Sequence, residues 1–226
     1  MPAYNEGERI EAVVSEWLRE LDSLEMDYSL RIYDDGSTDE TPRILRTLCS
    51  THSRLECRRH ENRGHGPTVL LGYHDADCDW VFQTDSDGEV SAVHFKDLWS
   101  RREEYDLLLA YRVGRNSNLA RKALSWGARK TVSTLFSVGI RDVNVPFRLI
   151  RTACLKEQLP FIPEGTLAPN VFLTGLIGRS GGRIFELPVD HQGSGASSIS
   201  ALGVFRFAGV SLWQAARIAY GSVRGR

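Results

Sequence analysis

Residues 28–33, 55–60 and 80–84 are strand-length runs, and each ends in a polar loop that opens into a helical pattern. Repeated strand, loop and helix leave few folds open. Each helix must bury an apolar stripe against the strands, which predicts an α/β sheet with its ligand crevice at the strand C-termini. The first helix shows the pattern most clearly: Ile10, Val13, Val14, Trp17, Leu18 and Leu21 fall at the spacing of one helical face. Its entry loop, Met1 to Gly7, has no strand before it. The first strand of the sheet is therefore expected to be missing, leaving a gap between its neighbours and pointing to an internal start or a fragment.

Further along, residues 28–33 run into Asp34-Asp35-Gly36-Ser37, and the following helix carries Ile44, Leu45 and Leu48. Thr38 or Asp39 is its candidate cap, and Pro42 fits its first turn. After 55–60 comes Glu61-Asn62-Arg63-Gly64-His65-Gly66, then a helix to about Ala76. A helix with Phe95, Leu98 and Trp99 and a strand over 107–111 complete the regular half. Beyond it, 119–138 reads as a long helix with Arg and Lys on one side. Residues 142–149 read as a strand interrupted at Pro146, and 183–189 as the last strand.

The chemistry concentrates where the strand over 80–84 ends in Thr84-Asp85-Ser86-Asp87-Gly88-Glu89. Period-two geometry would send Asp85 and Asp87 to one side, with Glu89 next in the alternation. Hard oxygen donors there suit Mg²⁺ or Mn²⁺ sharing substrate phosphates. The competing reading is an acidic loop closed by an Asx-turn at Asp87-Gly88.

With a formal net charge of −1, bulk electrostatics give no case for a nucleic-acid partner. The four cysteines show no C-x-x-C, so reduced cytosolic thiols are expected, without zinc or a disulfide framework. There is no signal-peptide pattern, and no apolar run approaches the roughly 18 residues of a membrane span.

Four separated motifs then agree in order and rough spacing. Pro2-Ala3-Tyr4-Asn5-Glu6, Asp34-Asp35-Gly36-Ser37, Asn62-Arg63-Gly64-His65-Gly66 and Asp85-Ser86-Asp87 resemble those of family 2 glycosyltransferases. The nearest likeness is to the dolichol-phosphate mannosyltransferase-like branch, which also places a Phe-Arg pair after an Asp, as in Asp142 to Arg148. The resemblance covers roughly residues 1–195 and implies a GT-A fold, a nucleotide-binding mixed α/β sheet flanked by helices. It divides the chain into that unit, N-terminally shortened, and a C-terminal amphipathic helix over 196–226.

The resemblance implies a metal-dependent, inverting sugar transfer from a nucleotide-diphosphate sugar, with Asp85 and Asp87 as metal ligands and Glu89 and His191 as further candidates. Tyr4 would lie against the base, beside Pro2, and Glu6 would accept from base or ribose. Asp34 and Asp35 would accept from base N–H or ribose hydroxyls, although capping the next helix explains them equally. Arg63 and His65 would meet the diphosphate at a helix N-terminus; the family more often has Lys at the position of His65. In this branch, basic residues after the 107–111 strand meet a phosphate acceptor. Arg112, Arg115, Arg121 and Arg148 are the residues so implied, a solvated basic face being the alternative. The usual Ser-Arg-Gly-Ala stands here as Ser125-Trp126-Gly127-Ala128, and no basic residue follows Asp190-His191 directly.

A lipid phosphate needs no general base, whereas a sugar hydroxyl does, and Glu164 is the one loose candidate for that role. The implied acceptor is thus a polyprenyl phosphate. Sugar hydroxyl transfer and non-catalytic nucleotide-sugar binding stand as alternatives. A sugar-1-phosphate nucleotidyltransferase would show a Gly-rich basic loop where Tyr4-Asn5-Glu6 stands. Residues 199–220 read either as a basic, aromatic-bearing helix on the cytoplasmic membrane face or as a terminal helix closing the core.

Overall fold

The computed structural model describes residues 1–113 and 139–190. The first apolar stripe becomes helix α1 (Ile10–Ser23), with all six stripe residues buried. Strand β2 (Leu30–Asp34), helix α2 (Thr41–Thr51), strand β3 (Leu55–Arg59), helix α3 (His65–His74) and strand β4 (Trp80–Gln83) follow in the expected alternation. A short α4 (Phe95–Trp99) leads to β5 (Leu107–Val113); then come β6 (Arg148–Arg151), α5 (Thr152–Gln158), α6 (Pro169–Arg179) and β7 (Ile184–Asp190).

Pro2–Ala3 forms a strand, β1, which corrects the expectation that no strand precedes the first loop. It pairs parallel to β2 with Pro2 opposite Tyr33, and Tyr33 N–H donates to the Met1 carbonyl at 2.9 Å. Two sheets result, β1-β2-β3 and β4-β6-β5-β7. The first is parallel; in the second, β6 runs antiparallel to β4 and β5, while β5 and β7 are parallel. Among the described residues, no strand pairing joins the two sheets. A cavity of about 720 Å³ is lined by Met1, by Leu30 and Arg31 of β2, and by Trp80, Val81 and Phe82 of β4. That cavity lies beside the two-residue β1.

Leu107 to Ala110 of β5 are fully buried, as a strand covered on both faces requires. The base of β4 is fixed by rings: Phe82 lies 4.8 Å from both Phe95 and Phe147 and 5.1 Å from Trp17, between ring centroids. Each large apolar side chain so covered is worth roughly 1.5–3 kcal/mol. That packing anchors the strand whose end carries the acidic loop.

Two expectations change and one is narrowed. Residues 142–147 are not strand; β6 begins only at Arg148. Pro146 supplies no N–H to a ladder, and the chain bends before pairing starts. The N-cap position of α2 is Glu40, and of the two candidate caps it is Asp39, just before it, whose Oδ1 accepts the Thr41 N–H at 3.0 Å. The cysteines are not all reduced: Cys49 and Cys57 form a disulfide, while Cys78 and Cys154 are free. Packing of α2 on β3 brings the pair to a Cα separation of 6.6 Å, a proximity that eight-residue spacing does not announce. The predicted helices over 119–138 and 199–220 lie outside the described residues. Among the described residues, no helix is long and apolar enough to cross a membrane.

Candidate functional site

Four loops meet at the C-terminal ends of β1, β2, β3 and β4. The first is zipped to the second by its own backbone. Asn5, at φ +55°, gives its N–H to Ser37 Oγ at 2.9 Å and takes the Thr38 N–H on Oδ1 at 2.8 Å. Glu6 N–H reaches Thr41 Oγ1 at 2.8 Å, and Gly7 N–H reaches Asp39 Oδ2 at 2.9 Å. Asn is among the residues that tolerate the left-handed region, and local hydrogen bonds hold it there. With the backbone so held, the Tyr4 ring is left at the rim, 47% exposed, while Pro2 is buried within β1.

The paired aspartates after β2 separate into two jobs. Asp34 is buried; its Oδ1 accepts the Ser37 N–H at 2.9 Å. Its Oδ2 has no hydrogen bond among the described residues and lies 3.3 Å from Arg59 Nε. Asp35 is equally buried, but Oδ1 holds the Arg63 N–H at 2.7 Å and Oδ2 the Gly64 N–H at 2.9 Å. The expectation that Asp35 faces base or ribose is thereby corrected. Its carboxylate folds the third loop, holding two successive backbone amides.

That third loop turns into α3 through Gly64 at φ +87°. Arg63 and His65 are exposed, and His65 Nε2 stands 3.7 Å from Asp85 Oδ1. Gly66 is required for a different reason. A Cβ there would lie 2.3 Å from the Thr166 carbonyl oxygen and 2.6 Å from that of Leu167. Gly66→Ala should therefore push α3 and the 163–168 loop apart, at a cost of about 1–3 kcal/mol. A urea melt is the check; an unchanged midpoint would show that the two segments are not held in contact.

The fourth loop departs from the predicted alternation, because β4 ends at Gln83 and the chain turns at Ser86-Asp87. Asp87 Oδ1 accepts the Glu89 N–H at 3.0 Å, and Gly88 has φ +68°. The Asx-turn is thus real, and it carries Glu89 out of register with the two aspartates. Among the described residues, no three His, Cys, Asp or Glu side chains gather into a metal-sized group, so Asp85, Asp87 and Glu89 are not a three-carboxylate cage. The acids still converge electrostatically. Burial raises the Glu6 carboxyl above its usual range; Arg9 opposes that, and Asp87, Asp39 and Asp85 add to it. A cation would relieve this mutual repulsion. The donor set fits a hard divalent ion that takes one or two carboxylates and completes its shell from substrate oxygens.

Arg148 is the clearest departure from expectation. It is fully buried, and its guanidinium donates to the carbonyls of Val143, Val145 and Asn170 and to Thr174 Oγ1 at 2.6–3.2 Å. It faces the interior and not an acceptor. Sequence reasoning also passed over Gln83, Asn170 and Tyr73, all buried and hydrogen-bonded behind Asp85. The one available signal was a polar Asn inside the apolar stretch that forms α6. Arg115, Arg121 and His191 lie outside the described residues, as does the side chain of Arg112. Glu164 is exposed in its loop.

The family model described as glycosyl transferase family 2 matches residues 1–165. CsbB of Bacillus subtilis strain 168, a protein named as a glycosyltransferase, is 27% identical over 212 residues, covering 92% of this chain and 63% of its own. The undecaprenyl-phosphate 4-deoxy-4-formamido-L-arabinose transferase of Proteus mirabilis strain HI4320 is 24% identical over 194 residues, covering 84% and 58%. The chain thus spans about three fifths of the length of these curated relatives. Among solved structures, the glucosyl-3-phosphoglycerate synthase of Mycobacterium tuberculosis, in complex with Mn²⁺, uridine diphosphate and phosphoglyceric acid, superposes with a TM-score of 0.69 at 18% identity. The match covers 96% of this chain and 76% of that one, and the shared fold is GT-A.

Proposed function

Because the chain belongs to glycosyl transferase family 2, we propose that it transfers a sugar from a uridine-type nucleotide diphosphate to a polyprenyl phosphate, with inversion at the sugar carbon. The observation that carries the donor half is Asp34 Oδ2. That buried carboxylate oxygen, at a strand's C-terminal end, is ion-paired with Arg59 Nε at 3.3 Å but makes no hydrogen bond among the described residues, so it keeps acceptor capacity for a ligand N–H. The imide N–H of a uracil ring supplies one, and the exposed Tyr4 ring at the same rim offers a face for the base. Glu6, in the loop zipped to that of Asp34, would meet base or ribose.

Asp35 acts through the backbone, holding the Arg63-Gly64 amides so that Arg63 and the α3 N-terminus face the diphosphate. Asp85 and Asp87 would hold Mg²⁺ or Mn²⁺, which when bound supplies positive charge to the departing diphosphate. His65, whose Nε2 stands 3.7 Å from Asp85 Oδ1, would lie beside that charge. Uridine diphosphate and Mn²⁺ occur together in the mycobacterial synthase complex, and one relative is named as an undecaprenyl-phosphate transferase; both support the reading.

On the acceptor side, a phosphate monoester with second pKa near ~6 is already largely dianionic at neutral pH and needs cations in place of a base. Arg112, Arg115 and Arg121 are those cations, and a lipid acceptor would place the site at a membrane surface. The test is nucleotide release from a panel of nucleotide sugars with and without undecaprenyl phosphate. Arg112→Ala should raise the acceptor KM far more than the donor KM, and Glu164→Gln should leave turnover almost untouched. Loss of turnover in Glu164→Gln with donor binding intact would make the acceptor a sugar hydroxyl instead. Donor binding without release to any acceptor would mark a non-catalytic binding protein.

A further inference from the structure

Behind Asp85 runs a line of three buried side chains drawn from three elements. Tyr73 of α3 donates its hydroxyl to Asn170 Oδ1 at 2.7 Å. Asn170 of α6 donates Nδ2 to Gln83 Oε1 at 2.9 Å. Gln83, the last residue of β4, donates Nε2 to Asp85 Oδ1 at 3.1 Å. The three are 1%, 3% and 4% exposed, so the two inner bonds are made away from water, while the one to Asp85 is partly buried. The line runs in one direction only. An ionised carboxylate can only accept, so the Gln83 amide must point its NH₂ at Asp85. That leaves Oε1 to accept from Asn170, and Asn170 Oδ1 to accept from the tyrosine. The far end is braced as well: the Asn170 carbonyl accepts from Arg148 Nη1 at 3.1 Å and from Thr174 Oγ1 at 2.8 Å.

We propose that Gln83 and Asn170, with Tyr73 behind them, are positioning residues that fix the Asp85 carboxylate for the cation and diphosphate of the donor. Asp85 follows a strand end and is only partly buried, with His65 Nε2 at 3.7 Å from the same Oδ1. The amide of Gln83 holds one oxygen, and α6 and α3 hold that amide. Rotation of the carboxylate is thereby tied to the two helices that flank the crevice. Outer partners of this kind orient metal-ligating carboxylates, and their loss typically costs 10–100-fold in metal affinity. The proposal rests on the donor reading given above, and its test separates the two.

The measurement is the affinity for uridine diphosphate by calorimetry, with and without Mn²⁺, together with free Mn²⁺ counted by electron paramagnetic resonance. Wild-type protein that shows no Mn²⁺-dependent gain in affinity defeats the donor reading itself, and with it this proposal. Given a wild-type gain, Gln83→Met should weaken the Mn²⁺-dependent affinity about tenfold or more, leave metal-free binding unchanged and keep a cooperative melt. Tyr73→Phe, two bonds further back and nearly isosteric, should weaken it less, in the same direction. A purely structural role would lower the melting temperature and leave the Mn²⁺-dependent gain intact. A folded Gln83→Met within twofold of wild type overturns the proposal. Should that variant fail to fold, an unchanged Mn²⁺-dependent affinity in Tyr73→Phe overturns it.

Discussion

Arg148→Ala is expected to leave little folded protein at 37 °C. The side chain is fully buried and donates to Val145 O from Nε at 2.9 Å and from Nη2 at 2.6 Å. Nη2 also reaches Val143 O at 3.2 Å, and Nη1 reaches Asn170 O and Thr174 Oγ1, each at 3.1 Å. Truncation removes both guanidinium donors from Val145 O and one each from Val143 O and Asn170 O, which keep only the Thr174 hydroxyl. A buried polar group left unsatisfied costs about 1–3 kcal/mol, and the cavity adds to that. The total, on the order of 5 kcal/mol or more, rivals the whole stability of an ordinary domain. Arg148→Lys should not rescue it, because one ammonium cannot span positions that a planar fork reaches. Thermal melts give the check. A folded alanine variant with only a raised acceptor KM would return Arg148 to the acceptor site.

That same residue shows where sequence reading reaches its limit. The buried face of α1 was legible to the residue, because a 3.6-residue period records burial directly, and the loops after the strands were legible because polar, Gly-containing segments mark chain reversal. Residue type alone does not say which way a strand-end side chain points. Asp34 and Asp35 look alike in the sequence, yet one presents an oxygen without a hydrogen bond and the other ties down a loop 28 residues away. The alternation from Asp85 to Glu89 failed because it assumed that β4 continues past Gln83. Partners distant in sequence were invisible for a plainer reason: Asn170 meets Gln83 across 87 residues, and no local period encodes such a contact. The disulfide between Cys49 and Cys57 belongs with these, since helix packing creates it.

Asp85→Asn and Asp87→Asn are each expected to cut turnover by about a hundredfold or more while leaving the melting temperature almost unchanged. The two substitutions preserve shape and the hydrogen bonds that fold the loop. An asparagine at 85 can still accept from Gln83 Nε2, and one at 87 can still accept the Glu89 N–H that closes the turn. What each removes is one negative charge among acids that already repel one another. Both Asp85 and Asp87 push the Glu6 carboxyl upward, so either replacement lets that carboxyl fall back toward its usual range. Ionised Glu6 then costs the folded state less, and stability at neutral pH should hold or rise slightly. A loss of activity without a loss of stability isolates the charge as the functional element. Positive charge held against a departing diphosphate is worth several kcal/mol, and each 1.36 kcal/mol is tenfold in rate. Chelation of divalent ions should reduce wild-type turnover to the level of the variants and do nothing further to the variants themselves. Unchanged donor affinity and turnover in Asp87→Asn, measured by calorimetry and nucleotide release in the presence of Mn²⁺, would remove Asp87 from the metal site and leave Asp85 with His65 to account for the charge.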